Sequence, residues 1–189
     1  MAYRTYFDLT LQPDPEIPAW DRMGALWRDV HRASAKSKTP FAVAFPGWMG
    51  EGFTLGQTLR VFALGEAGAN AIYDVLKSHP QWGDLAKGSP VKTALASAGF
   101  EAYRMHRLPS GVSKTRRTVP MDVAQALQAK ARERRLAQQM AYPFVVMRSS
   151  SGHKFRLVIE RTAADPGQSG EPNGYGLSRA TQIVALPVL

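Results

Sequence analysis

The hydrophobic period of the chain switches repeatedly between that of a strand and that of a helix within its first half, and this constrains the fold more than any other feature. From Tyr3 to Leu11 the residues alternate, with Phe7, Leu9 and Leu11 set against Tyr6, Asp8 and Thr10. That period of two predicts a half-buried strand. Pro13, Pro15 and Pro18 stop it. From Asp21 onward Met23, Leu26, Trp27 and Val30 recur at helical spacing and predict a helix ending near Ser34. Phe41 to Phe45 and Arg60 to Leu64 predict a strand pair across a long Gly-containing loop, and Ala67 to Ser78 a second helix packed back on them. A fourth strand is expected in the weakly patterned stretch between Gln81 and Ala98. The resulting β-α-β-β-α-β order is the split βαβ arrangement of ferredoxin-like domains.

The second half shows no repeat at a fixed period. It predicts a strand near Phe100 to Arg107, a basic linker from Pro109 to Val119, and a helix opened by Pro120 and running to about Met140. Two strands follow, Phe144 to Arg148 and Phe155 to Arg161, joined by the tight turn Ser149-Ser150-Ser151-Gly152. Ala164 to Gly174 reads as a polar loop and Ile183 to Leu189 as a short closing strand. The fold class is therefore α+β. A ferredoxin-like domain is expected at 1–98 and a smaller α+β domain with a basic helix at 99–189.

At 189 residues, 44% hydrophobic and 21% charged, the chain can bury a core and is neither disordered nor fibrous. Its formal charge is +9, and the excess is local. Residues 100–161 hold 13 Lys and Arg against four Asp and Glu, while the remainder is balanced at 11 of each. Such a concentration is the electrostatic footprint of phosphate-backbone binding, whereas a solvated helix face interleaves both signs. A membrane-surface helix would set bulky apolar residues opposite its bases, but Asp122 to Gln139 is mostly Ala, Gln and Arg. The absence of cysteine excludes disulfides, a thiolate nucleophile and Cys-based metal sites. The opening MAYRTYFDLTLQPDPE is interrupted by Arg4, Asp8, Asp14 and Glu16 and does not read as a secretory signal. No apolar run approaches the roughly 18 residues a membrane helix needs. A cytoplasmic, soluble protein with no membrane partner is expected.

The four histidines, His31, His79, His106 and His153, are scattered and the acids mostly isolated, so no metal site is expected. No phosphate-cradling glycine loop or G-x-S-x-G elbow is present, and no cofactor is expected. Metal-free RNA cleavage demands less. The RNA's own 2′-hydroxyl attacks, and the protein must align it, take its proton and stabilise the pentacoordinate phosphate. His31, one turn after Trp27, is a candidate base, although its residues alone favour a structural or surface histidine. The serine turn sets hydroxyls beside Arg148, Lys154 and Arg156, suited to a ribose or phosphate; it reads also as a plain hairpin turn. Tyr175, between two glycines, can stack, donate a hydrogen bond or pack on a core edge.

Four ordered motifs change that balance: FDLTLQPDPEIP with a helix ending in DVHRA, FAVAFPGW followed by LGQTLRVFA, PFVVMRSSSGHKFRLVIER, and GYGLS. Over nearly its whole length the chain resembles the type I-F CRISPR-associated repeat-processing endoribonucleases, the Csy-type enzymes of the Cas six superfamily. The resemblance implies a metal-independent endoribonuclease acting on the hairpin of CRISPR repeat RNA. Such an enzyme cuts at the 3′ base of the stem, leaving a 2′,3′-cyclic phosphate and a 5′-hydroxyl. It then stays on the mature guide RNA beside the other subunits of an effector complex, and is a monomer when free. By position, the catalytic residues fall on His31 as general base, Ser149 as the ribose holder and Tyr175 as the residue positioning both. Ser151 and Phe155 fall where the family contacts RNA near the cut, Phe155 by stacking.

The remaining RNA-binding set is Arg104, Arg107, Lys114, Arg116, Arg117, Lys130, Arg132, Arg134 and Arg135, all within 99–189, which makes that half the RNA-binding domain. Arg107 matches the family's base-reading Arg, but Pro109 stands where the family has Gln. The family's dense arginine helix is diluted here, although Lys130 and Arg134 share a face at four-residue spacing. These departures imply a different repeat hairpin and a divergent member from a type IV or transposon-associated system. Two other readings stay open: a catalytically inactive hairpin-binding subunit that anchors the guide RNA, and, less well matched, a double-stranded-DNA binder.

Overall fold

The structure, a computed structural model, describes residues 3–49, 54–95, 97–108, 119–139, 141–149 and 151–189. The alternating opening forms strand β1 (Thr5–Leu11), with Phe7, Leu9 and Leu11 buried. Helix α1 (Ala19–Ser37) starts directly after Pro18, ahead of Asp21, and runs a turn past Ser34. Lys38 ends it in the left-handed conformation (φ 54°), and the Lys38 and Thr39 N–H groups donate to the Ala35 and Ser34 carbonyls. That last turn carries Ala35, Lys36 and Ser37, whose lack of an apolar face hides it from hydrophobic spacing.

Strands β2 (Phe41–Ala44) and β3 (Thr58–Ala63) pair antiparallel, and helix α2 (Glu66–Lys77) and the single turn α3 (Trp82–Leu85) follow. The expected fourth strand comes in two pieces, β4 (Ala86–Gly88) and β5 (Lys92–Thr93), which pair with opposite ends of β1. Between them Pro90 has no N–H to give a ladder. Ser89 bridges the gap: its N–H donates to the Asp8 carbonyl at 2.8 Å and its hydroxyl accepts from the Asp8 N–H at 2.9 Å. The strand order β2-β3-β1-β4 is that of the split βαβ unit.

The second sheet contains β6 (Phe100–Met105), β7 (Phe144–Arg148), β8 (Lys154–Ala163) and β9 (Leu186–Pro187). Its order is β7-β8-β6-β9, all antiparallel, with helix α4 (Met121–Gln139) between β6 and β7. This is the connectivity of the first sheet again, with the segment 164–185 in place of a second helix. The second half is thus a topological copy that no sequence period announces. β9 keeps only two of the residues expected in the closing strand.

The two sheets share one core. Trp27 packs on Phe45 (centroids 5.2 Å), and Phe45 packs on Tyr103 of the second sheet (5.3 Å). Burial pushes the Tyr103 hydroxyl up, a hydrogen bond to Glu101 adds to the shift, and the group remains a neutral donor. On its other side α1 lies directly on β7. A Cβ on Gly24 would fall 1.9 Å from the Val146 carbonyl oxygen, so only glycine permits the approach. By contrast α4 stands outside this core, with Ala124 its only buried side chain among the described residues. Among the described residues no helix is long and apolar enough to cross a membrane.

Candidate active site and nucleic-acid interface

His31 sits half-buried in the last third of α1, on the helix row of Gly24 and Trp27. Its Nδ1 lies 2.5 Å from the Gly174 carbonyl oxygen. A carbonyl only accepts, so Nδ1 carries the proton, and the lone pair of the neutral ring is on Nε2. The Tyr175 ring stacks on the imidazole, with centroids 5.0 Å apart and planes 25° apart. One turn earlier, the Trp27 indole N–H donates to the Tyr175 carbonyl at 2.8 Å, and the Val43 N–H donates to the Gly176 carbonyl at 3.0 Å. Gly176 has a positive φ of 78°, and a Cβ there would come within 2.7 Å of the Phe41 ring. The loop is therefore seated on the core, and Tyr175 is held against His31.

Ser149 begins the β7–β8 turn. Its hydroxyl accepts the His153 N–H at 3.1 Å and lies 2.9 Å from the Ser151 hydroxyl. Gly152 takes the left-handed position of this turn (φ 84°). Strand β7 and helix α1 run in the same direction, since Trp20 faces Phe144 (6.0 Å between centroids) and Gly24 faces Val146. From Gly24 to His31 the helix rises about 10 Å, and from Val146 to Ser149 the strand advances about the same distance. The in-step packing thus brings the His31 turn and the Ser149 turn to one end of the molecule. Phe155 flanks that turn on β8, opposite Met147 and exposed.

The basic residues divide into two groups. Glu160, 3% exposed, pairs with Arg104 at 2.6 Å and with Arg135 at 2.8 Å, and its other contact is the His106 ring. Burial alone would raise the Glu160 carboxyl, but hydrogen bonds from Arg104 and His106 and the charges of Arg104 and Arg135 outweigh it and hold the group below its usual value. The second His106 nitrogen reaches the Arg135 carbonyl at 2.9 Å, and the Arg135 Nε donates to the Arg107 carbonyl at 3.3 Å. Arg104 and Arg135 are therefore engaged in fastening α4 to the second sheet. Lys130 and Arg134 stay exposed on the helix, as does Arg132. Lys114, Arg116, Arg117 and Pro109 lie outside the described residues. Arg104, Arg107 and Arg135 line a cavity of about 420 Å³ that also takes in Asn173 and Arg179.

Sequence reasoning missed Asn173, Arg179 and the His106–Glu160 clamp. Asn173 had a signal, since Asn before Gly-Tyr-Gly marks a side-chain-closed turn. The clamp had none, because its partners are far apart in the chain. Among the described residues no three His, Asp or Glu side chains gather where they could hold a metal ion.

A relative from Pseudomonas aeruginosa (strain UCBPP-PA14), the CRISPR-associated endonuclease Cas6/Csy4, is 30% identical over 190 residues, spanning 92% of this chain and 95% of the relative. Two solved structures are more distant. One, described as an RAMP protein binding different RNA substrates, is 12% identical, covers 97% of this chain and 99% of its own, and has a TM-score of 0.39. The other, CRISPR endoribonuclease Cse3 bound to 19 nt RNA, is 15% identical, covers 99% and 100%, and has a TM-score of 0.35. The family model described as CRISPR-associated protein (Cas_Csy4) matches residues 6–188, nearly the full length, and the chain belongs to that family.

Proposed function

We propose that the chain is a metal-independent endoribonuclease that binds the hairpin of a CRISPR repeat RNA and cuts at the 3′ base of its stem. The observation that carries this reading is the fixed tautomer of His31, which leaves Nε2 as a proton acceptor at the end of the molecule where the Ser149 turn also lies. In the proposed reaction Nε2 takes the proton of the ribose 2′-hydroxyl. The 2′-oxygen attacks the adjacent phosphorus, the bond from phosphorus to the 5′-oxygen breaks, and that oxygen takes a proton from solvent as it leaves, while Nε2 gives the 2′-hydroxyl proton back to solvent. The products are a 2′,3′-cyclic phosphate and a 5′-hydroxyl. Ser149 holds the ribose, Tyr175 keeps the imidazole in plane, and Phe155 and Ser151 contact the RNA beside the cut.

Residues 1–98 carry the base, while 99–189 supply the RNA-binding surface, with Lys130 and Arg134 toward the stem. Membership of the Cas_Csy4 family supports this reading. After cutting, the protein keeps the guide RNA and joins the other subunits of an effector complex. The test is His31→Ala. Removing a base affects the transition state more than the ground-state complex, so the variant should bind the repeat hairpin with unchanged affinity and lose cleavage by at least about a hundredfold. Cleavage near the wild-type rate would remove His31 from the mechanism, and tight binding by a wild-type protein that never cuts would make the chain a hairpin anchor.

A further inference from the structure

Three successive carbonyls of one loop face the body of the protein: Gly174 toward His31, Tyr175 toward the Trp27 indole and Gly176 toward the Val43 N–H. Consecutive carbonyls do not share a direction in an extended chain, where they alternate. Here the turn is closed by Asn173. Its side-chain Oδ1 accepts the N–H of Tyr175 at 2.8 Å and that of Leu177 at 3.2 Å. Its own carbonyl accepts the Gly176 N–H at 2.8 Å, and its N–H donates to the Leu177 carbonyl at 2.8 Å. Four hydrogen bonds from one residue thus close the 173–177 turn.

We propose that Asn173 is a positioning residue for His31. By closing the turn it aims the Gly174 carbonyl at Nδ1, and so keeps the proton there and the lone pair on Nε2. The proposal deepens the reading of His31 as general base and rests on it. A neutral imidazole without a partner on Nδ1 places its proton on either nitrogen, and a ring protonated on Nε2 cannot accept from a 2′-hydroxyl. The role is distinct from holding the loop to the protein. The Trp27 bond to Tyr175, the Val43 bond to Gly176 and the buried Leu177 side chain anchor the loop without Asn173. What depends on Asn173 is the direction of one carbonyl.

Two variants separate these roles. Asn173→Ala removes the side-chain acceptor, and Asn173→Asp keeps an oxygen in its place. Single-turnover cleavage of the cognate repeat hairpin reads the chemical step, and long-range proton–nitrogen correlation spectra of the RNA-free, nitrogen-15-labelled protein read the His31 tautomer directly. Wild type and Asn173→Asp should show the neutral ring protonated on Nδ1. Asn173→Ala should shift toward Nε2 and cleave about a hundredfold more slowly, with hairpin affinity unchanged and with most of the rate restored in Asn173→Asp. An Asn173→Ala protein that keeps the Nδ1 proton, or that cleaves at the wild-type rate, would overturn the proposal. If the alanine variant does not fold, Asn173→Asp decides, since loss of the Nδ1-protonated form there is equally fatal. Because the tautomer is read without RNA, a wild-type protein that fails to cut tells against the base role of His31 alone, while the spectra still judge Asn173.

Discussion

One backbone oxygen, at Gly174, sets the tautomer of His31, and one ring, that of Tyr175, lies against its face. The Tyr175 side chain meets the imidazole through its ring face, and aromatic stacking of this kind contributes about 0.5–1.5 kcal/mol beyond area burial. Tyr175→Phe preserves that contact and should cleave within a few-fold of wild type, whereas Tyr175→Ala should slow single-turnover cleavage by about tenfold. A phenylalanine variant as slow as the alanine variant would move the role from the ring to the hydroxyl. At this scale little of the site was legible in periodicity. His31 falls on the same helix row as Trp27, where a core histidine fits as well as a base, and only the ordered motifs singled it out. The acceptor that fixes its tautomer is a main-chain carbonyl brought back across 143 positions of sequence, and no local pattern encodes such a contact.

Helix α4 is joined to the body of the protein through Glu160. Its described side chains bury only Ala124, so the pairing of Glu160 with Arg135, beside the His106 bridge, replaces an apolar face. Removing one member of a buried charge cluster costs about 3–5 kcal/mol, because the partners are left uncompensated. Glu160→Gln should lower the unfolding free energy read from urea titration by an amount near the lower end of that range and weaken hairpin binding with it. The pH dependence has a fixed sign. A carboxyl held below its ordinary value of 4.5 gives its full stabilisation above that value and loses it as the pH falls through the lower folded-state value. Wild type should therefore lose stability in that acid window by a component that Glu160→Gln lacks, and parallel curves for the two proteins would contradict the assignment. The charge count located a basic helix correctly, but it could not distinguish Arg135, engaged internally, from Arg134, which stays exposed. That distinction depends on which strand lies beneath.

For the molecule as a whole, α1 is the element that joins the two sheets, since one of its faces fills the first and Gly24 lets another lie on β7. A methyl group at position 24 would collide with backbone rather than with a movable side chain. Gly24→Ala should therefore cost at least about 1–3 kcal/mol and slow cleavage by separating His31 from the Ser149 turn. Gly99→Ala, where an added Cβ meets nothing within 4 Å, should leave both unchanged. Equal effects of the two substitutions would mean that close packing of α1 on β7 is not what joins the halves. Most of the first sheet was readable because β1 alternates cleanly, β2 and β3 are short apolar runs, and the two long helices carry regular apolar rows. The second repeats the same strand order with one helix replaced by irregular chain and with α4 lifted off the core, so neither signal was strong enough to reveal the copy.

In the proposed reaction the RNA's own 2′-hydroxyl is the nucleophile and a protein side chain its base. The most direct measurement is cleavage of the cognate repeat hairpin by the purified protein in excess EDTA, beside a copy carrying a single 2′-deoxy nucleotide just before the cut. By that reaction the all-RNA hairpin is cut to a 2′,3′-cyclic phosphate while the deoxy copy is bound but stays intact. Cutting of the deoxy copy, or loss of all cleavage in EDTA that added magnesium restores, would contradict it.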